Sequence, residues 1–250
     1  MKTVLITGCS SGFGLEIARH FLERDWNVVA TMRNPGASVL PPSERLRVLA
    51  LDVTDDASIR TALDAAGPID ALVNNAGIGV LYPLEGIPIA TARSVFDTNA
   101  LGTIAMTQAV LPAFRARGDG VIVNVTSAVT LKPLPLLSVY TASKAAVNGF
   151  TESLALELEP LGIRLRLVLP GRSPATQFGA SARGRMGEAM PDGYAPLLDA
   201  VVANGRGPGP VTHAQDVAQA VWRAVTDPAA PMRIPAGLDA EELAAAQVYK

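Results

Sequence analysis

Residues 3–24, TVLITGCSSGFGLEIARHFLER, carry the reading that decides the fold. Thr3–Thr7 is a short, almost wholly apolar run, the pattern of a strand buried on both faces. Gly8, Cys9, Ser10, Ser11, Gly12, Phe13 and Gly14 then form a glycine turn, and Leu15–Arg24 has helical periodicity. Strand, glycine turn and helix in succession are the context a phosphate-binding loop requires. Glycines admit backbone N–H groups close to a pyrophosphate, and the helix N-terminus adds a favourable dipole. The spacing is GxxxGxG and departs from the generic GxGxxG. An ordinary glycine-rich turn between strand and helix fits the same residues.

The alternation continues along the chain. Strands are expected at Trp26–Thr31, Leu46–Leu51, Ile69–Val73, Val121–Thr126, Ile163–Leu169 and Met232–Ile234. Helices are expected at Thr54–Ala65, with Thr54 as N-cap, and at Thr91–Arg117, closed by Gly118. Further helices are expected from beyond Pro135 to Leu158, from a capping box at Thr212–Gln215 to Thr226, and at Asp239–Val248. Arg164 and Arg166 predict that the sixth strand is less buried or has an exposed early end. Strands separated by helices imply an α/β fold with a parallel, doubly wound sheet. Between 171 and 210 the periodicity loosens around Phe178, Met186, Met190, Tyr194 and Leu197, as in a lid or substrate-binding segment.

Composition narrows the function. In 250 residues, 49% are hydrophobic, enough for a sizeable core, and the net charge of −2 leaves no electrostatic footprint for nucleic acid. One cysteine excludes an internal disulfide, and two scattered histidines offer no metal-ligand spacing. The chain opens directly into a strand, so no signal peptide is expected, and no apolar run approaches the ~18 residues of a membrane helix. A cytoplasmic protein without metal, membrane or nucleic-acid partners is the expectation.

In an open α/β sheet, ligands sit at the carboxyl ends of the strands, and here four successive ends are polar or glycine-rich. The first is the glycine turn. The second reads Thr31-Met32-Arg33-Asn34, with an arginine and no acid, which favours the 2′-phosphate of NADP over a free ribose hydroxyl. The third carries Asp52-Val53, and the fourth runs into Asn74-Asn75-Ala76-Gly77. Farther on, Tyr140 and Lys144 lie four residues apart, on one helical face. A nearby ammonium lowers a phenol's pKa and suits it to exchange a proton with an alcohol oxygen. Ser127, at the tip of the fifth strand, can polarise that oxygen. Asn99 sits inside a helix, where asparagine has poor propensity.

Taken in order, TGCSSGFG at 7–14, Asp52-Val53, NNAG at 74–77, NALG at 99–102, Ser127, YTASK at 140–144 and Pro170-Gly171 resemble the classical short-chain dehydrogenases/reductases across nearly the whole chain. The resemblance implies one Rossmann-like catalytic domain over 1–250, with about seven parallel strands flanked by helices. It implies Tyr140 as acid-base catalyst, Lys144 on the nicotinamide ribose, Ser127 on the substrate carbonyl and Asn99 in a proton relay. Gly8, Ser10, Ser11, Gly12, Phe13, Gly14, Arg33, Asp52, Val53, Asn74, Ala76, Gly77, Pro170 and Gly171, with Tyr140 and Lys144, would hold NADP(H). Family members commonly place a threonine four residues past the Pro-Gly glycine, but here Ala175 stands there and Thr176 follows.

The activity implied is NADPH-dependent reduction of a ketone to a secondary alcohol. Alternatives are an NAD-linked hydroxysteroid- or 3-oxoacyl-type dehydrogenase, or a non-catalytic NADP(H) sensor. Val129, Leu134, Leu137, Phe178 and Tyr194, with Ser127 and Tyr140, are candidates for an apolar substrate pocket. Val80, Leu81, Leu131 and Leu136 are further candidates, though some of these fit core or subunit packing equally well. A homodimer or homotetramer paired through helices near 91–117 and 138–160 is expected from the resemblance alone. Cys9 reads as a small buried residue, and His20 and His213 as surface or capping residues.

Overall fold

The apolar runs become β1 (Thr3–Thr7), β2 (Asn27–Met32), β3 (Leu46–Ala50), β4 (Ala71–Asn74), β5 (Gly120–Val125), β6 (Ile163–Pro170) and β7 (Arg233–Ala236). They form one parallel sheet in the order β3-β2-β1-β4-β5-β6-β7. The structure is a computed structural model that describes residues 1–176, 182, 184 and 190–247. The chain winds outward from β1 in both directions, so the order reverses between β1 and β4. The crevice at that switch point is where a doubly wound sheet binds its ligand.

Strand residues alternate between two helical layers. Val4, Ile6, Val28, Val73 and Val123 pack with Ile17 and Phe21 of α1 (Gly12–Leu22) and with Val217 and Val221, from the helix at Ala214–Thr226. Leu5, Val29, Leu72 and Ile122 pack on the other side with Ile59 of α2 (Asp56–Ala66) and with Met106, Val110 and Phe114 of the helix at Gly102–Arg117. Burying each large apolar side chain contributes roughly 1.5–3 kcal/mol, so these layers carry most of the fold's stability.

Further helices among the described residues are α3 (Ile89–Phe96), α4 (Gly102–Arg117), α5 (Ser138–Leu158), α6 (Ala195–Arg206), α7 (Ala214–Thr226) and α8 (Leu238–Gln247). The single helix expected over 91–117 is interrupted: a π-turn over Asp97–Leu101 separates α3 from α4 and contains Asn99. Thr54 does not cap α2. Asp55 does, accepting the Ala57 N–H, while the Thr54 hydroxyl donates to Asp52 Oδ1. Helix α6 falls in the stretch expected to lack periodicity; its short stripe, Leu198, Val201 and Val202, is flanked by glycines and prolines that mask it in the sequence.

Strand β6 is interior. It pairs with β5 from Ile163 but with β7 only from Leu167, which leaves the early end bearing Arg164 and Arg166 uncovered on one side. His20 is buried, edge-on to Trp222 at 5.9 Å, rather than at the surface as expected. Among the described residues no helix is long and apolar enough to cross a membrane, and no cluster of side chains could hold a metal ion.

Candidate active site

A cavity of about 650 Å³ follows the carboxyl ends of β1 to β4. Of the residues singled out from sequence, Gly8, Ser10, Ser11, Gly12, Phe13, Arg33, Asp52, Val53, Ala76 and Gly77 line it. Gly14 lies just beneath, and only glycine fits there: a Cβ would stand 2.3 Å from the Gly8 carbonyl oxygen and 2.5 Å from Asn75 Nδ2. Gly8 has φ +76, a backbone state that L side chains rarely adopt. Ser11, the N-cap of α1, makes no side-chain cap hydrogen bond, so its hydroxyl and the first-turn N–H groups face the cavity uncommitted to the helix.

Asn75, which the sequence reading passed over, stitches β4 to this loop. Its Nδ2 donates to Thr7 O at 2.9 Å and Gly8 O at 3.2 Å, and the Asn75 and Ala76 N–H groups both donate to Thr7 Oγ1. Asn74 turns the other way. Its Nδ2 donates to Asn124 Oδ1 at 2.9 Å and reaches Thr107 Oγ1 at 3.3 Å, in a buried network that Asn124 extends to Thr151 on α5. Strand alternation explains the split, since Leu72 and Asn74 share the face toward α4 and α5. That signal was present in the sequence.

At the far end of the cavity, Thr54 donates to Asp52 Oδ1 through both its N–H and its hydroxyl. These bonds, helped by the Arg33 guanidinium, hold the Asp52 carboxyl below the usual range. Arg33 is exposed, and among the described residues it makes no ion pair within 4 Å. A loop of close-packed glycines at a helix N-terminus fits the phosphates of a dinucleotide.

Ser127, Tyr140 and Lys144 are buried and lie beyond the lining of this cavity. Gly77 is the link: a Cβ there would stand 3.3 Å from Lys144 Nζ and 3.2 Å from Asn99 Oδ1. Lys144 Nζ donates to the Val125 carbonyl oxygen at 2.9 Å, and burial pulls its pKa down to about 8. Tyr140 is hydrogen-bonded to Ser127, but burial outweighs that bond and pushes the phenol up to about 12. The depressed phenol expected from an adjacent ammonium is therefore not what the protein alone produces.

The Asn99 side chain is fully engaged. Its Oδ1 accepts the Ile78 N–H at 2.8 Å, and its Nδ2 donates to Ile78 O and to Ser143 Oγ. The π-turn turns this amide inward, and Thr103 Oγ1 donates to the Asn99 carbonyl oxygen. Leu136, just ahead of α5, holds φ +64, a strain of about 1–2 kcal/mol for a non-glycine residue, with its carbonyl oxygen accepting the Tyr82 N–H at 2.9 Å.

Of the pocket candidates, Val129, whose N–H donates to Ser127 Oγ, Leu137 and Tyr194 are partly exposed, and Leu134 is exposed. Val80 is not a pocket residue: it is fully buried with Tyr82, Val95 and Val139. Leu131 packs in another cluster with Leu167, Leu169 and Ala240. Phe178 lies outside the described residues. Pro170 and Gly171 end β6 away from the cavity lining; Gly171 N–H donates to Thr212 Oγ1 at 2.9 Å and its Cα abuts Asp239. Thr176, despite its displaced position, lines the cavity opposite Gly12.

The short chain dehydrogenase family model matches residues 2–185. Retinol dehydrogenase 8 of Bos taurus is 43% identical over 182 residues, 68% of this chain and 58% of that protein. 17-beta-hydroxysteroid dehydrogenase type 1 of Homo sapiens is 41% identical over 180 residues, 66% of this chain and 55% of that protein. The matches thus span somewhat over half the length of these two relatives. A short chain dehydrogenase from Burkholderia cenocepacia, solved in complex with NADP, superposes with a TM-score of 0.79 at 26% identity, covering 99% of this chain and 94% of that one. With the sheet order, the glycine cradle and the family match in agreement, this chain belongs to the short-chain dehydrogenase family.

Proposed function

We propose that the protein reversibly reduces a ketone to a secondary alcohol with NADPH, with the whole chain as one catalytic domain. The observation that carries this reading is the Tyr140 phenol, hydrogen-bonded to Ser127, one turn along α5 from the buried Lys144, whose Nζ bonds Val125 O at the end of β5 and lies against Gly77 of the cavity. When bound, NADPH supplies a hydride. Ser127 holds the carbonyl oxygen by a hydrogen bond, and Tyr140 delivers the proton that balances the hydride on carbon, giving the alcohol. A phenol raised toward 12 favours its protonated form at neutral pH, the form that donates in the reductive direction. Lys144 holds the nicotinamide ribose hydroxyls, and Asn99 fixes the Ile78 segment beside them. Arg33, with Ser10 and Ser11, receives the 2′-phosphate.

Val129, Leu134, Leu137 and Tyr194 favour an apolar ketone, as do the names of the two relatives, a retinol and a hydroxysteroid dehydrogenase. A cytoplasmic homodimer or homotetramer is part of the same reading. The outer faces of α4 and α5 share a groove lined by Gln108, Leu111, Arg115 and Glu157, with Leu156 exposed near it. A second reading is hydroxysteroid oxidation with NAD, its substrate class favoured by the name of the human relative.

The test is oxidation of NADPH and of NADH over aryl, aliphatic, steroid and β-keto carbonyls, by the protein and by Tyr140→Phe. The expected result is preference for NADPH and a loss of at least about 100-fold in Tyr140→Phe, with cofactor affinity retained. Unchanged turnover in Tyr140→Phe overturns the mechanism. Preference for NAD on a hydroxysteroid selects the second reading.

A further inference from the structure

Tyr140, Lys144 and Asn148 recur every four residues along one face of α5. The first two have roles in proton transfer and cofactor binding; the third has none so far. Asn148 is 5% exposed, and a buried amide is unfavourable unless it is hydrogen-bonded. Its Nδ2 donates to Thr130 Oγ1 at 3.0 Å, and Thr130 Oγ1 donates to the Ser127 carbonyl oxygen at 2.8 Å. A hydroxyl has one proton. With that proton committed to Ser127, Thr130 can only accept from Asn148, so the amide must present its NH2 end.

Ser127 needs such support. The last sheet bond of its strand is made one residue earlier, from Thr126 N–H to Val168 O at 2.8 Å. Beyond that point Ser127 is an extended residue, with φ −170 and ψ 148, that opens a single 3-10 turn. The turn's own bond, from Thr130 N–H to Ser127 O, is 3.2 Å, longer than the hydroxyl bond to the same oxygen.

We propose that Asn148 and Thr130 are positioning residues. The chain Asn148–Thr130–Ser127 ties the serine to the helix that carries Tyr140 and Lys144, so that the serine hydroxyl and the phenol stay in register about one substrate oxygen. This inference rests on the roles of Ser127 and Tyr140 proposed above.

The test compares Thr130→Val, Thr130→Ser and Ser127→Ala, singly and with Ser127→Ala combined with Thr130→Val. It measures kcat and KM for a ketone, the NADPH dissociation constant and the melting temperature. Small misplacements of reacting groups are costly in rate. Thr130→Val is therefore expected to lower kcat about tenfold, with NADPH affinity changed less than about twofold, and Thr130→Ser to recover most of the loss. In the Ser127→Ala background, Thr130→Val is expected to remove less than about twofold more. Asn148→Val should reproduce the pattern and carries the test if Thr130→Val fails to fold.

Unchanged kcat in Thr130→Val overturns the inference. So does an equal loss from Thr130→Val with and without Ser127, because that marks a structural role alone. Full turnover in Ser127→Ala by itself instead overturns the reading of Ser127 on which the inference rests.

Discussion

Replacing Lys144 with Met should make the protein more stable at neutral pH while abolishing its turnover. Lys144 is almost fully buried, and burial pulls its pKa from 10.5 to about 8. That lowering, at about 1.36 kcal/mol per pH unit, is on the order of 3 kcal/mol against the folded state at pH 7. Methionine keeps the stem but loses the donor to Val125 O, and an unpaired buried carbonyl costs about 1–3 kcal/mol. The net expectation is a gain near 1 kcal/mol, about 2–4 °C in melting temperature for a chain of this size.

The pH dependence supplies the sign. Below pH 8 the lysine is charged in both states and the native protein bears the whole burden. Between pH 8 and 10.5 the folded lysine is neutral while the unfolded one is still charged, so wild-type stability rises with pH. The advantage of Lys144→Met should therefore shrink by about 1.4 kcal/mol per unit above pH 8 and reverse near pH 9. Urea unfolding of both proteins at pH 7, 8.5 and 9.5 measures this, and the linkage of Tyr140, which both proteins carry, drops out of their difference. A variant less stable than wild type at pH 7, or a difference that stays flat from pH 7 to 9.5, would refute the reasoning.

Arg33→Ala should lower kcat/KM for NADPH by about 10- to 100-fold, the worth of a charge-assisted hydrogen bond, while changing that for NADH by less than about threefold. An equal effect on both cofactors removes Arg33 as the selector. Gly14→Ala places a Cβ 2.3 Å from Gly8 O, so the loop must shift; a destabilisation of about 1–3 kcal/mol and weakened NADPH binding are expected by thermal melting and fluorescence titration. Arg172 donates to the carbonyl oxygens of Asn204 at 2.8 Å and Gly207 at 2.9 Å, and more loosely to those of Gly209 and Pro210. Arg172→Met keeps the stem and loses these bonds at the end of α6. Limited proteolysis within 195–210 should then accelerate about tenfold, with little change in overall melting.

The sheet was legible because strands covered on both faces read as unbroken apolar runs, from TVLIT through VIVNV. Where burial is partial the reading weakened. Arg164 and Arg166 marked the uncovered early end of β6 but not its interior place in the sheet. Helix α6 has only a short stripe, Leu198, Val201 and Val202, masked by the glycines and prolines around it. The π-turn around Asn99 has no periodicity of its own, since one widened turn shifts the helical register without changing composition. The choice between Asn74 and Asn75 turned on strand alternation, which the polar doublet concealed. Val80 and Leu131 look like pocket residues in one dimension because they flank the motifs, yet α3 and the start of α5 enclose Val80, while β6 and α8 enclose Leu131. Tyr140's raised pKa depends on desolvation, which no spacing encodes.

Cys9 sits in the turn between β1 and α1, with its N–H bonded to Thr31 O and its Sγ directed at Ile6 O. It is the chain's single cysteine, and burial pushes its thiol up to about 12. In the folded protein the thiol stays protonated and out of reach of any reagent, so alkylation proceeds through openings that expose the turn. The labelling rate is therefore a clock for the breathing of the phosphate loop. A ligand seated there slows that clock by the factor 1 + [L]/Kd, which turns one inert sulfur into an affinity gauge that needs no turnover.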